Sequence, residues 1–140
     1  MTMTAWWALD SVEIADPAEA QEALEEAWGR YYPHGGRGIV VRFGDTGAGE
    51  QAAPLRVDID INQGRAVLHW LPDSTYAIEP DIPAHPRALV VGDSPYEPAE
   101  RVSGDYARVT PGAALRAVVE FAQTGARPTG LKWAVERRAA

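Results

Sequence analysis

The sequence predicts an α+β fold: one domain, 1–140, with a mostly antiparallel sheet of about five or six strands and two helices packed on one face. Three observations predict it. The segments after Asp16 and after Thr110 each join a helix start to a single apolar stripe. Leu55 to Leu71 alternates apolar and polar residues about a glycine-containing turn. Elsewhere only short β-type runs occur, separated by Pro, Gly and Asp.

Trp6 to Ile14 reads as the opening strand, with Trp7, Leu9 and Val12 as core candidates. Asp16-Pro17-Ala18-Glu19 starts the first helix: Asp16 caps, Pro17 takes the first turn and Glu19 reaches back. Ala20, Leu24, Ala27, Trp28 and Tyr31 fall on one stripe, and Glu22, Glu25 and Glu26 give the helix an acidic flank. Tyr32-Pro33-His34-Gly35-Gly36-Arg37-Gly38 ends it. Ile39 to Phe43 is a strand, and 44–54 is a loop.

In Leu55 to Leu71, Leu55, Val57, Ile59 and Ile61 alternate with Arg56, Asp58, Asp60 and Asn62. A two-residue turn at Gln63-Gly64 pairs Ile59 with Leu68 and Val57 with Trp70 on the buried face. It sets Asp60 against Val67 and Asp58 against His69 on the other. Tyr76 to Glu79 and Ala88 to Val91 are short strands, joined by an extended connector holding Pro80, Pro83 and Pro86. Positions 92–104 form a polar loop with Asp93, Tyr96, Glu97 and Glu100. Tyr106 to Val109 is a brief strand.

The second helix follows Thr110, an N-cap, and Pro111, which suits the first helical position. Leu115, Val118, Val119 and Ala122 make its buried stripe, and Gly125 stops it in the left-handed conformation. Pro128 prevents its resumption. Leu131, Trp133 and Val135 then alternate with Lys132, Ala134 and Glu136, a closing strand with a buried Trp.

The chain of 140 residues carries 46% hydrophobic and 24% charged residues and a net charge of −7. No apolar run approaches the ~20 residues of a membrane span. The N-terminus lacks a basic signal region, so the cytoplasm is the expected location. With no cysteine, disulfides, thiolate zinc and cysteine nucleophiles are excluded. The acidic balance argues against nucleic acid and suits a basic partner.

Candidate chemistry is sparse. His34-Gly35-Gly36 resembles an esterase oxyanion loop, but no Gly-x-Ser-x-Gly elbow accompanies it, and a helix-to-strand turn is the simpler reading. Asp58 opposite His69 could be an acid–base dyad, which makes a small hydrolase or isomerase the alternative reading, or an ordinary cross-strand charged pair. His34, His69 and His85 lack metal-ligand spacing, and the acidic loop lacks calcium-loop spacing. No catalytic residue, cofactor or metal is expected.

The arrangement Phe121-x-x-Thr124-Gly125-x-Arg127-Pro128-x-x-x-x-Trp133 resembles the C-terminal signature of a family of immunity proteins from bacterial polymorphic toxin systems, the Imm family numbered one. The resemblance implies an α+β protein without enzymatic activity that binds a cognate toxin domain and blocks its active site. Toxins paired with this family often resemble nucleic-acid deaminases, so the partner is expected to be basic. The chain lacks the His-x-Glu and Pro-Cys-x-x-Cys elements of a deaminase itself. Exposure and charge, not the family, suggest the contact residues: Asp58, Asp60, His69, Asp93, Tyr96 and Glu97. Free in solution, a monomer or weak homodimer is expected.

Overall fold

The computed structural model describes residues 2–29, 37–94 and 96–137. Their strands are β1 (Met3–Trp7), β2 (Asp10–Ile14), β3 (Gly38–Asp45), β4 (Leu55–Asp60), β5 (Arg65–Trp70), β6 (Thr75–Ile78), β7 (Leu89–Gly92), β8 (Glu100–Val102) and β9 (Lys132–Val135). The helices are α1 (Pro17–Trp28) and α2 (Pro111–Thr124). The sheet runs β2-β1-β3-β4-β5-β6-β9, antiparallel throughout. The β7–β8 hairpin joins it through a short parallel pairing of β7 with the start of β3. The α+β class and its two helices are as expected, but nine strands replace five or six.

Two of the additional strands have identifiable causes. The opening segment is a hairpin, with Trp7 paired to Asp10 across Ala8 and Leu9. Ala8 adopts φ 50°, a left-handed conformation that L residues other than Asn, Asp and Gly seldom take, so the turn has no sequence signature. Trp7 is buried as expected, whereas Leu9 is 67% exposed and Val12 37%. The other cause is β8, in the stretch read as a polar loop.

The helices sit together on one face. Ala20, Ala23, Leu24 and Ala27 of α1 and Ala113, Ala114, Ala117, Val118 and Phe121 of α2 join one core with Ala5, Trp7, Val41, Phe43, Leu55, Val57 and Leu68. Six of those nine helical residues are alanines, which let two backbones approach closely. The buried face of α2 is rotated from the expected stripe: Val118 lies in the core, Leu115 and Ala122 are partly buried against it, and Val119 is half-buried outside it. The caps follow the sequence. Asp16 accepts from Ala18 N at 2.8 Å, Thr110 accepts from Ala113 N at 3.3 Å, and Gly125 turns at φ 69°. Tyr31 and the turn expected over 32–36, with His34-Gly35-Gly36, lie outside the described residues.

The opposite face carries a second, smaller apolar layer. Val40 of β3 and Val67 of β5 pack against Leu89 and Val91 of β7, Val102 of β8 and Ala107. The sheet is therefore covered on both sides at its centre.

Trp133 of β9 pairs with Ala77 and packs at the edge of the helix-side core. Its Nε1 donates to Pro128 O at 2.8 Å, and the Arg127 guanidinium stacks on the ring at 5.3 Å. Arg127 also donates to Asp73 at 3.0 Å. The Thr-Gly-x-Arg-Pro segment thus folds onto the strand it precedes. Trp133→Ala is expected to cost about 2–4 kcal/mol in urea unfolding, and Lys132→Ala, exposed on the alternate face, under about 0.5 kcal/mol. Equal losses would contradict this register.

Candidate functional site

The hairpin of β4 and β5 pairs Val57 with Leu68, Asp58 with Val67, Ile59 with Ala66 and Asp60 with Arg65. Its register differs by two residues from the expected one, because the loop is four residues long. The Asp60 carboxylate accepts from the backbone N–H groups of Asn62 (3.0 Å) and Gln63 (3.3 Å), and Gly64 closes the turn at φ 66°. A shift of two preserves every face, so Asp58 and His69 still meet, diagonally instead of directly opposite.

The expectation that Asp58, Asp60 and His69 stand exposed is corrected. They are 0%, 3% and 8% exposed. Asp58 lies in a cross-strand row between Val40 and Val67, the two valines that β7 and β8 cover. The apolar layer that buries the valines buries the carboxylate with them.

From the buried Asp58 an ion chain runs outward to the half-exposed Glu100 and the partly exposed Glu136. Arg56 Nε donates to Asp58 Oδ1 at 2.8 Å and its Nη2 to Glu100 Oε2 at 2.9 Å. His69 Nε2 donates to Asp58 Oδ2 at 2.7 Å, and His69 Nδ1 faces the Glu136 carboxylate. Only the doubly protonated imidazolium donates at both nitrogens. Burial opposes that charge, but the hydrogen bond and charge of Asp58, followed by those of Glu136, outweigh it and raise the His69 pKa to about 9. Burial likewise pushes Asp58 up, yet His69 and then Arg56 hold it below its usual value. The chain links β4, β5, β8 and the residue after β9. Such a histidine has no free nitrogen with which to take a proton, so the dyad anchors the sheet instead of presenting a base.

Asp93, Tyr96 and Glu97 do reach the surface. Asp93, just after β7, accepts two hydrogen bonds from Arg42 of β3, at 2.6 and 3.0 Å. Tyr96 is 84% exposed. Asp93, Ser94 and Glu97 line a cleft of about 390 Å³ with Arg42, Glu50 and Leu71. The structure therefore divides the six expected contact residues into a buried three and a surface three. Sequence reasoning assigned no role to Arg42, Arg56, Glu50, Glu100 or Glu136. Strand parity was the available signal, since Arg42, Arg56 and His69 lie in one cross-strand row.

A second cleft, about 430 Å³, lies beside α2 between Glu79, Arg116, Glu120 and Leu131. Its carboxylates are engaged: Glu79 accepts from Thr110 N and Oγ1, and Glu120 from Thr129 N and Oγ1. Among the described residues no group of His, Asp and Glu is arranged to hold a metal ion. Among the described residues no helix is long and apolar enough to cross a membrane.

A family model described as immunity protein Imm1 matches residues 9–135, nearly the whole chain. A search of curated proteins returns no match.

Proposed function

The chain belongs to the Imm1 family of immunity proteins, and from that premise we propose that it binds a cognate bacterial toxin domain and neutralises it by covering the active site. The observation that carries this reading is the family match over residues 9–135. The partner is a basic, nucleic-acid-acting domain of the deaminase type. The resemblance of the helix–Thr-Gly-x-Arg-Pro–strand segment supports that class, and the net charge of −7 supports a basic partner. The protein acts in the cytoplasm of the producing cell, free as a monomer or weak homodimer, and works by binding.

A hydrolase or isomerase using Asp58 and His69 receives no support from the geometry. Asp58 is wholly buried, and both nitrogens of His69 face carboxylates. Catalysis would need one of those contacts broken before any substrate could be reached.

Co-expression tests the proposal. Cells producing the toxin domain encoded beside this chain are expected to survive when the chain is present, and the two proteins to co-purify. Death of those cells despite abundant folded protein, with no complex recovered, would overturn it.

A further inference from the structure

We infer that the cleft lined by Arg42, Glu50, Leu71, Asp93 and Glu97 is the surface that receives the toxin, and that a lysine or arginine side chain of the toxin occupies it. The inference rests on the immunity reading and adds to it a place and a chemistry.

Charge complementarity selects the occupant. Three carboxylates surround a single guanidinium in the cleft. That guanidinium is already committed, since two Arg42 nitrogens donate to the two oxygens of Asp93 at 2.6 and 3.0 Å. Glu50 approaches Arg42 only to 3.8 Å, beyond hydrogen-bond distance. The Glu97 carboxylate has no partner among the described residues and is exposed. The cleft therefore offers two water-exposed carboxylates, Glu50 at 3.8 Å from Arg42 and Glu97 with no protein partner among the described residues, and a guanidinium or ammonium group pairs with such carboxylates. A phosphate would be repelled.

The surroundings are those of a protein contact. Leu71 in the cleft is 43% exposed, and Tyr96, on the loop between Ser94 and Glu97, is 84% exposed. An exposed tyrosine and leucine beside exposed carboxylates suit a partner that brings apolar and cationic atoms together. A free ion brings only charge. The walls are also held before any partner arrives. The short helical turn Glu50–Ala52 packs on β3, and Arg42 ties β3 to the residue after β7. Those two walls need no ordering on binding, which leaves the exposed Tyr96 and Glu97 side chains as the parts to be immobilised.

The test measures affinity and rates between the full chain and the toxin domain. Glu50→Lys with Glu97→Lys is expected to weaken binding at least a hundredfold, in part through slower association that depends less steeply on salt. Tyr96→Ala is expected to weaken it at least tenfold, mainly through faster dissociation. Glu22→Lys with Glu25→Lys, on the exposed side of α1, makes the same change of net charge and is expected to stay within about twofold of wild type. If the wild type binds and the cleft variants match that control, the cleft assignment is overturned and the immunity reading stands. If all four charge substitutions weaken binding alike, net charge acts without a site, and the assignment again fails. If the folded wild type does not bind the toxin, both readings fail together. Glu97→Gln, a conservative surface change, keeps the test informative should the lysine variants fold poorly: it is expected to lose about fivefold, and no loss counts against the cleft.

Discussion

Asp58→Ala is expected to destabilise the protein by about 3–5 kcal/mol in urea unfolding, the range for removing one member of a buried ion group. The side chain is fully buried and accepts from both Arg56 and His69, which are direct cross-strand neighbours. Without it, two cations face each other under the layer formed by β7 and β8. Asp58→Asn is expected to cost nearly as much, because an amide keeps the shape and loses the charge. Replacing Arg56, Asp58 and His69 together by apolar residues is expected to cost less than Asp58→Ala alone, since no charge is then stranded.

The same chain sets a pH dependence. His69 has a folded pKa of about 9 against an ordinary 6.5. Its contribution is complete below pH 6.5 and is lost as pH rises through about 9. Asp58 is shifted the other way, so its contribution is complete above its ordinary 3.8 and is lost as the solution is acidified further. Stability from this pair is therefore greatest between about pH 4 and 6.5 and falls on both sides. In Asp58→Ala the alkaline fall is expected to shrink, because Glu136 alone remains to hold the proton on His69. An NMR titration of the imidazole checks this directly. A histidine that titrates near its ordinary value in the wild type would contradict the ion chain.

Phe121→Ala carries the second large effect, about 3–5 kcal/mol. Phe121 is 2% exposed, belongs to the core that the helices share with the sheet, and contacts Trp70 of β5 edge to face at 5.7 Å. Its loss opens a cavity in the core that both helices share with the sheet. Arg116→Ala, one turn away and exposed, is expected to stay within about 0.5 kcal/mol. Chemical denaturation of both variants gives the comparison.

The helices were legible in the sequence because their signals are local. Asp16 and Pro17 begin α1, Thr110 and Pro111 begin α2, and Gly125 ends it, all as the residue types dictate. The faces of the β4–β5 hairpin were legible too, since alternation survives a shift of two residues. The loop length was not. It depends on Asp60 capping Asn62 and Gln63, a choice that Gln63-Gly64 alone does not reveal.

The burial of Asp58, Asp60 and His69 has a definite physical origin. Ile39-Val40-Val41 and Ala66-Val67-Leu68 are apolar on both faces, the mark of strands covered on two sides. Reading those runs as one-sided left the face of Asp58, Asp60 and His69 in water. The β7–β8 hairpin covers it, and its contact with Val40 and Val67 is long-range, beyond the reach of any local pattern. Asp93, Tyr96 and Glu97 lie beyond that cover, and their exposure was legible from a polar loop. Which of the six could meet a partner depended on a layer that only the folded chain displays.

The proposed function is the silencing of a toxin by binding it. The most direct measurement is the activity of the purified toxin domain on its own substrate, titrated with this protein. Activity is expected to fall to background once the two are present in stoichiometric amounts, with a complex that survives size-exclusion chromatography. Full toxin activity in the presence of excess folded protein would contradict the claim.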